Sequence, residues 1–283
     1  MLPDVSSYTY DLNDRLLSAD ARSYTYDANG NTRTGSVGGA GVSPADRGTG
    51  ILPVIPVQDQ YDDQNRLICR TETENGKTIT ILYDADGNRV AKTVNGSTTY
   101  YLADDQNPTG YAQVIEEIAA PVGTDPIVNG TVTKRYAYGL DLISQQVWTT
   151  SDPLTDDHWR ISYSGYDGLG SVRYLTDETG FITDRYTYDA FGTLLNAWSA
   201  NELTPADNVY LYAGEQFDSN LGLYYNRARY LNTDIGRFWS IDTYEGNNQE
   251  PLSLHKYLYT HGDPLNGIDP SGNFTIASTL REC

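Results

Sequence analysis

Cysteine is nearly absent. Cys69 and Cys283 are the only two in 283 residues, they stand far apart, and the second is the last residue. A disulfide framework and a thiolate zinc spacing are therefore excluded, and two thiols do not decide the redox compartment. Methionine occurs once, and positive charge is scarce: 19 Lys plus Arg face 38 Asp plus Glu, for a net charge of −19. So acidic a surface repels phosphate and anionic headgroups, which argues against a nucleic-acid partner. No apolar run is long enough to cross a bilayer, so no membrane span is expected. Met1 is followed by neither a basic n-region nor an apolar h-region, so no signal peptide is visible.

What the chain has instead is tyrosine, 24 residues of it, in a repeating phrase. Tyr186-Thr187-Tyr188-Asp189-Ala190-Phe191-Gly192 is the clearest copy. Tyr24–Gly30, Tyr83–Gly87 and Tyr166–Gly170 repeat it, and Tyr8–Asp14 and Tyr61–Asn65 are worn forms. Tyr-x-Tyr sets two rings on one face of an extended strand. The aspartate then closes a turn on the amides ahead of it. Three residues later comes a glycine, which accepts positive φ, or in the worn copies Asp14 and Asn65, which tolerate it. A return strand follows, so each unit reads as a β-hairpin, and the fold class is all-β, built of antiparallel hairpin repeats. Taken alone, each Tyr is a packing residue and each Asp a turn former.

Taken in order, residues 1–206 form the hairpin region, interrupted at 34–58 by a Gly/Pro-rich stretch that reads as a flexible insertion. Its apolar end, 51–57, carries Pro53 and Pro56 and is not expected to be a central strand. Asn95-Gly96 marks a two-residue hairpin. Residues 111–118 suit a strand and 121–130 a loop. His255 and His261 fall on an expected short helix that begins at Pro251, with no third ligand nearby, so they read as structural. Asp84-Ala85-Asp86-Gly87-Asn88 resembles the start of a calcium loop, but its twelfth position is Asn95 instead of an acidic residue. No metal or other cofactor is expected.

Residues 207–272 carry a denser pattern: Gly214, Asp218, Gly222-Leu223-Tyr224-Tyr225, Arg227, Arg229-Tyr230, Gly236-Arg237-Phe238, and finally Asp269-Pro270-Ser271-Gly272. This run, with the tyrosine–aspartate hairpins before it, resembles the Rhs/YD-repeat family and its repeat-associated core. Members of that family include bacterial polymorphic toxins and the C components of insecticidal toxin complexes, and animal teneurins share the repeats. The resemblance implies a β-ribbon spiralling into a hollow shell, here its C-terminal part, with residues 207–272 as an inner plug containing a short helix. Residues 273–283 would be a short remnant, too short for a cargo. The implied partners are the rest of the shell and a C-terminal toxin cargo, and the implied location is secreted or cell-surface.

The resemblance also implies self-cleavage after the Asp-Pro-x-Gly motif in the manner of an aspartyl protease. Residue by residue, Asp242 and Asp269 match the two aspartates and Arg237 the arginine, with the cut between Asn273 and Phe274. Two close carboxylates cannot both ionise easily, so one keeps a proton while the other activates water. The chain departs from the pattern at Thr243, where the family has proline, at the longer spacing between the aspartates, and at Asn273, where a large apolar residue is commoner. Equally, both aspartates could serve only as turn caps, with Arg237 pairing one of them. A reading from another class is a non-catalytic adhesion module whose tyrosines bind carbohydrate or a cell-surface protein. Cleavage, and whether the tyrosine rows are buried, separates the two.

Overall fold

A computed structural model describes residues 7–38, 54–121, 123–149, 158–200 and 207–277. Fourteen strands, from Thr25–Tyr26 to Leu194–Ser199, form one sheet in which each strand is hydrogen-bonded to the next along the chain. All these pairings are antiparallel, as hairpin connections require. Three short strands, Tyr8–Tyr10, Leu16–Ala19 and Arg22–Ser23, form a separate small sheet before it.

The repeated phrase is a single local device. The strand register slips by one residue at each Tyr-Asp, between Thr25 and Tyr26, Gln60 and Tyr61, Leu82 and Tyr83, Gly165 and Tyr166, and Thr187 and Tyr188. Such bulges add twist and bend. The aspartate carboxylate then accepts two backbone amides: Asp189 Oδ1 takes Phe191 N at 2.9 Å and Thr193 N at 2.8 Å, and Asp27, Asp62, Asp84 and Asp167 do the same. The fourth loop position has positive φ whether it is Gly192 (93°), Asp14 (61°) or Asn65 (63°).

The tyrosine joins one unit to the unit before it. Tyr26 donates its hydroxyl to Leu16 O, Tyr61 to Thr32 O, Tyr83 to Leu67 O and Tyr188 to Val172 O, at 2.8–2.9 Å. Each acceptor lies five residues after the aspartate of an earlier unit, at Asp11, Asp27, Asp62 and Asp167. The spacing of the motif thus sets the spacing of the strands.

The segment from Asp207 packs inside this wall. Its four-stranded sheet, Gln216–Asp218, Leu223–Asn226, Arg229–Asn232 and Arg237–Phe238, is buried on both faces. Leu223, Tyr225, Tyr230 and Trp239 pack with Leu16, Val57, Leu67 and Ile81 from the early strands. Tyr224, Leu231 and Phe238 pack with Val172, Leu175, Tyr188 and Leu194 from the late strands. Adjacent residues of one strand point to opposite faces, so the two ends of the wall must close on the segment from opposite sides. Buried ion pairs pin it there. Arg70 binds Asp59 and the Leu221 carbonyl, and Trp239 Nε1 donates to Asp59 Oδ2 at 2.6 Å. Arg89, stacked between Tyr101 and Tyr225, reaches Asp218 at 2.7 Å, and Lys92 reaches the same carboxylate at 2.8 Å.

Four expectations need correction. Residues at both ends of the stretch taken as a flexible insertion are strands, Thr32–Gly38 and Val54–Tyr61, paired from Thr34↔Gln58 to Gly38↔Val54; residues 39–53 lie outside the described residues. Val54–Tyr61 is flanked on both sides despite Pro56, because the ladder to Leu67–Glu72 starts only at Val57 and Pro56 needs to offer no more than its carbonyl, to Thr73 N at 3.1 Å. The expected helix around the histidines is two separate 3₁₀ turns, Pro251–Leu254 and Thr260–Gly262, with His255 outside both. In the loop at 121–130 the residues Pro126–Asn129 make one helical turn, capped by Asp125. Among the described residues no helix is long and apolar enough to cross a membrane.

Tyr188→Phe removes a buried hydroxyl bonded to Val172 O and should lower unfolding stability by about 1 kcal/mol in urea titration. Tyr174→Phe, at a half-exposed ring, should change it by less than about 0.5 kcal/mol. Burial raises the Asp218 carboxyl, but Lys92 and Arg89 outweigh it and hold the group at about 2. Its contribution is therefore complete above pH 4 and is lost as pH falls through 2. Asp218→Ala should cost about 3–5 kcal/mol at pH 7, by stranding two buried cations, and progressively less as pH falls toward 2.

Candidate active site

The site is built on the tip of the hairpin between Leu223–Asn226 and Arg229–Asn232. Four consecutive tip residues each donate to the carbonyl of one of four consecutive residues in the Asp-Pro-Ser-Gly turn. Asn226 Nδ2 reaches Asp269 O at 2.8 Å, Arg227 Nη1 reaches Pro270 O at 2.6 Å, Ala228 N reaches Ser271 O at 3.2 Å, and Arg229 Nε donates to Gly272 O. The approach is so close that a Cβ on Gly272 would lie 2.2 Å from Asn226 O, and Gly272 has φ 74°. Only glycine fits there.

This clamp brings the two predicted aspartates to one cation. Arg229 Nη2 lies 2.7 Å from Asp242 Oδ2 and 3.6 Å from Asp269 Oδ2. Arg229 and Asp269 are buried, with side chains 4% and 3% exposed, and Asp242 is mostly covered, at 10%. The guanidinium lies over the Phe238 ring at 3.7 Å, and its Nη1 donates to Lys256 O at 3.1 Å. Asp242 is held by its own amide on Lys256 O and by Tyr244 N, which donates to Asp242 Oδ1 at 2.8 Å. Asp269 Oδ1 accepts Gly272 N at 2.8 Å, Ser271 Oγ at 3.0 Å and Asn273 N at 3.2 Å. Its other oxygen faces Arg229 at the longer distance, so it is the oxygen available for a proton.

Burial pushes the Asp269 carboxyl up to about 6 against the pull of Arg229, Ser271 and the Gly272 amide, and the neighbouring Asp242 adds to the rise. Burial raises Asp242 as well, again against Arg229, and lowers Arg229 below the usual arginine range. One buried cation does not fully compensate two carboxylates, so the pair retains a proton to higher pH than free aspartates do. Such a pair can exchange protons with a reacting group near neutral pH.

Of the other residues expected at the site, Asn273 donates its amide to Asp269 Oδ1 at 3.2 Å and Phe274 lines the same cleft. Their amides donate to Ser271 Oγ at 3.1 and 3.3 Å, and Phe274 is half exposed. Arg237 is not there. Its Nη1 donates to Asp14 O at 3.0 Å and its guanidinium stacks on Tyr10 at 4.5 Å, fastening the inner segment to the first hairpin. Arg229 occupies the position between the carboxylates, and the sequence marks it only through the Asn226-Arg227-Ala228-Arg229-Tyr230 run. His255 and His261 line the small cleft that also holds Phe274, Asp242 and Asp269, with His255 Nδ1 accepting Tyr257 N at 3.1 Å. Burial lowers the His255 imidazole. Asp84, weighed as a calcium ligand, accepts Asp86 N and Asn88 N as its sister aspartates do, and no cluster of three or more metal-ligating side chains occurs among the described residues.

No family model matches the chain. It is 31% identical over 215 residues to the tRNA(Glu)-specific nuclease WapA of Bacillus subtilis subsp. natto, covering 76% of this chain and 8% of that protein. It is 25% identical over 234 residues to double-stranded DNA deaminase toxin A of Burkholderia cenocepacia, covering 75% of this chain and 15% of that one. Among solved structures it superposes on the crystal structure of TcdB2-TccC3 with a TM-score of 0.58, at 18% identity, over 94% of this chain and 16% of that one. That likeness establishes the shared fold, and the chain spans only a small part of each of these proteins.

Replacing Arg229 removes the one cation that, among the described residues, pairs with both carboxylates, so the apparent pKa of Asp269, read from the ¹³C carboxyl shift, should move upward from about 6 in Arg229→Met. Arg237→Met should leave it unmoved.

Proposed function

The chain belongs to the Rhs/YD-repeat family, and from that premise we propose that it is the C-terminal part of an encapsulating shell and its plug, which cuts itself between Asn273 and Phe274. In this reading the longer protein houses a toxin cargo that follows the cut, and acts after delivery outside the producing cell. The observation that carries the reading is the pairing of Asp242 and Asp269 on one nitrogen of buried Arg229, next to a turn clamped residue by residue.

The chemistry follows from the geometry. Asp242, in close contact with Arg229, ionises first and takes a proton from water. The water oxygen adds to the Asn273 carbonyl carbon. Asp269 gives its proton to the Phe274 nitrogen as the C–N bond breaks, and the products are a carboxylate at Asn273 and a free amine at Phe274. Arg229 orients the first carboxylate and keeps it charged. Ile276–Ala277 pairs with Gly267–Ile268, so the cut end stays docked and release is a separate step.

The tyrosines favour this reading over adhesion. Tyr24, Tyr136, Tyr186 and Tyr188 are buried, and Tyr26, Tyr61 and Tyr83 have hydroxyls engaged by neighbouring strands. Rings so employed do not offer a platform for sugar.

Mass spectrometry under denaturing conditions should show loss of residues 274–283 from the wild type and from Arg237→Ala. Asp269→Asn should slow the loss by about 10²–10⁴-fold. Cutting needs the Asp269 proton, so its rate should fall as pH rises through about 6, and fall again in acid once Asp242 is protonated. An uncut wild type, or equal cutting by Asp269→Asn, contradicts the proposal.

A further inference from the structure

Ser271, the variable position of the Asp-Pro-x-Gly motif, uses the whole hydrogen-bonding capacity of its hydroxyl at the site. Its proton goes to Asp269 Oδ1 at 3.0 Å, and its oxygen accepts the amides of Asn273 at 3.1 Å and Phe274 at 3.3 Å. A hydroxyl has one donor and two acceptor positions, and all three are filled. The Phe274 amide is the nitrogen that leaves in the proposed cut, and the Asn273 amide lies on the other side of the residue whose carbonyl is attacked. One side chain therefore ties the buried acid to both amides of the dipeptide that is broken.

Nothing else among the described contacts makes that connection at Phe274. Asp269 Oδ1 reaches the Gly272 and Asn273 amides directly, but the amide of Phe274 is held by Ser271 Oγ. The carbonyls of residues 269–272 are fixed by the hairpin tip, so the turn itself is held without the hydroxyl. Removing the hydroxyl thus loosens the scissile bond relative to the acid without dismantling the turn.

We propose that Ser271 is a positioning residue for self-cleavage: its hydroxyl registers the Asn273–Phe274 bond against the Asp269 carboxyl and commits that carboxyl's Oδ1 to binding, leaving Oδ2 to carry the proton. The inference rests on the self-cleavage reading above. It assigns a role to a position that a repeat-and-motif pattern leaves open. A leucine or alanine there could not make these contacts, and of the other residue types threonine reproduces the hydroxyl most closely.

The test is a time course of intact mass for the full chain across pH 4–8, in the wild type, Ser271→Ala and Ser271→Thr. Ser271→Ala should cut at least about tenfold more slowly, the factor that one charge-assisted hydrogen bond supplies. Its alkaline limb should also move to higher pH, because the hydroxyl favours the ionised form of Asp269. Ser271→Thr should restore both rate and limb. Wild-type rate and an unmoved limb in Ser271→Ala overturn the positioning role while leaving self-cleavage intact. A slow Ser271→Ala with an unmoved limb and no rescue by threonine also overturns it, since that is what simple loosening of the turn produces. An uncut wild type overturns the underlying reading and this inference with it.

Discussion

The structure depends on covering a small sheet that is apolar on both faces. In the inner segment, successive residues Tyr224 and Tyr225, Tyr230 and Leu231, and Phe238 and Trp239 are all buried, although alternation sends them to opposite sides. Burying each such side chain is worth about 1.5–3 kcal/mol, and neither face can be left wet. A single meandering sheet covers both only by curving around the segment. The tyrosine–aspartate unit supplies the means: a bulge for bend and twist, an Asp-closed loop of constant length, and a tyrosine hydroxyl anchored on an earlier strand. Wall and contents are then mutually dependent, with Arg70 and Arg89 crossing from one to the other.

The site inherits its geometry from that packing. Because the hairpin is held on both faces, its tip at 226–229 is fixed, and the turn at 269–272 is laid along it carbonyl by carbonyl. Arg229 is buried by the same packing and stacked on Phe238. A buried cation requires anionic partners, and Asp242 and Asp269 provide them. Two acids with one cation leave an excess of negative charge where water is scarce, and the raised proton affinity of Asp269 is the direct result. Acid–base capacity at this position is therefore a consequence of the fold and needs no separate device.

Much of this was legible in the sequence. Asp followed three residues later by Gly, Asp or Asn marks a loop that needs positive φ, and Gly192, Asp14 and Asn65 have it. The two aspartates could be read from motif position alone. The arginine could not, because which of several arginines turns inward depends on strand facing. Arg229 lies over the Phe238 ring, whereas Arg237 alternates to the opposite, Trp239 side that faces the early strands, where it meets Tyr10 and Asp14. Pro56 was misread for a related reason: a proline excludes a strand only where its missing N–H faces a partner, and the ladder on that side begins at Val57. The 3₁₀ turns around His255 carry no periodic apolar pattern, so a proline at the first turn was a poor guide to length.

Native-state hydrogen exchange tests the mutual dependence of wall and inner sheet most directly. If they form one cooperative unit, amides of Ile79 and Ile81 in the early wall, Leu175 and Tyr186 in the late wall, and Tyr224 and Leu231 in the inner sheet should exchange through one common opening, with the same free energy and the same denaturant dependence. Exchange of Tyr224 and Leu231 at a distinctly lower free energy than the wall would mean that the inner sheet leaves a self-sufficient wall. It would contradict the account that burial on both faces holds the structure, and the Arg229–Asp242–Asp269 cluster, together.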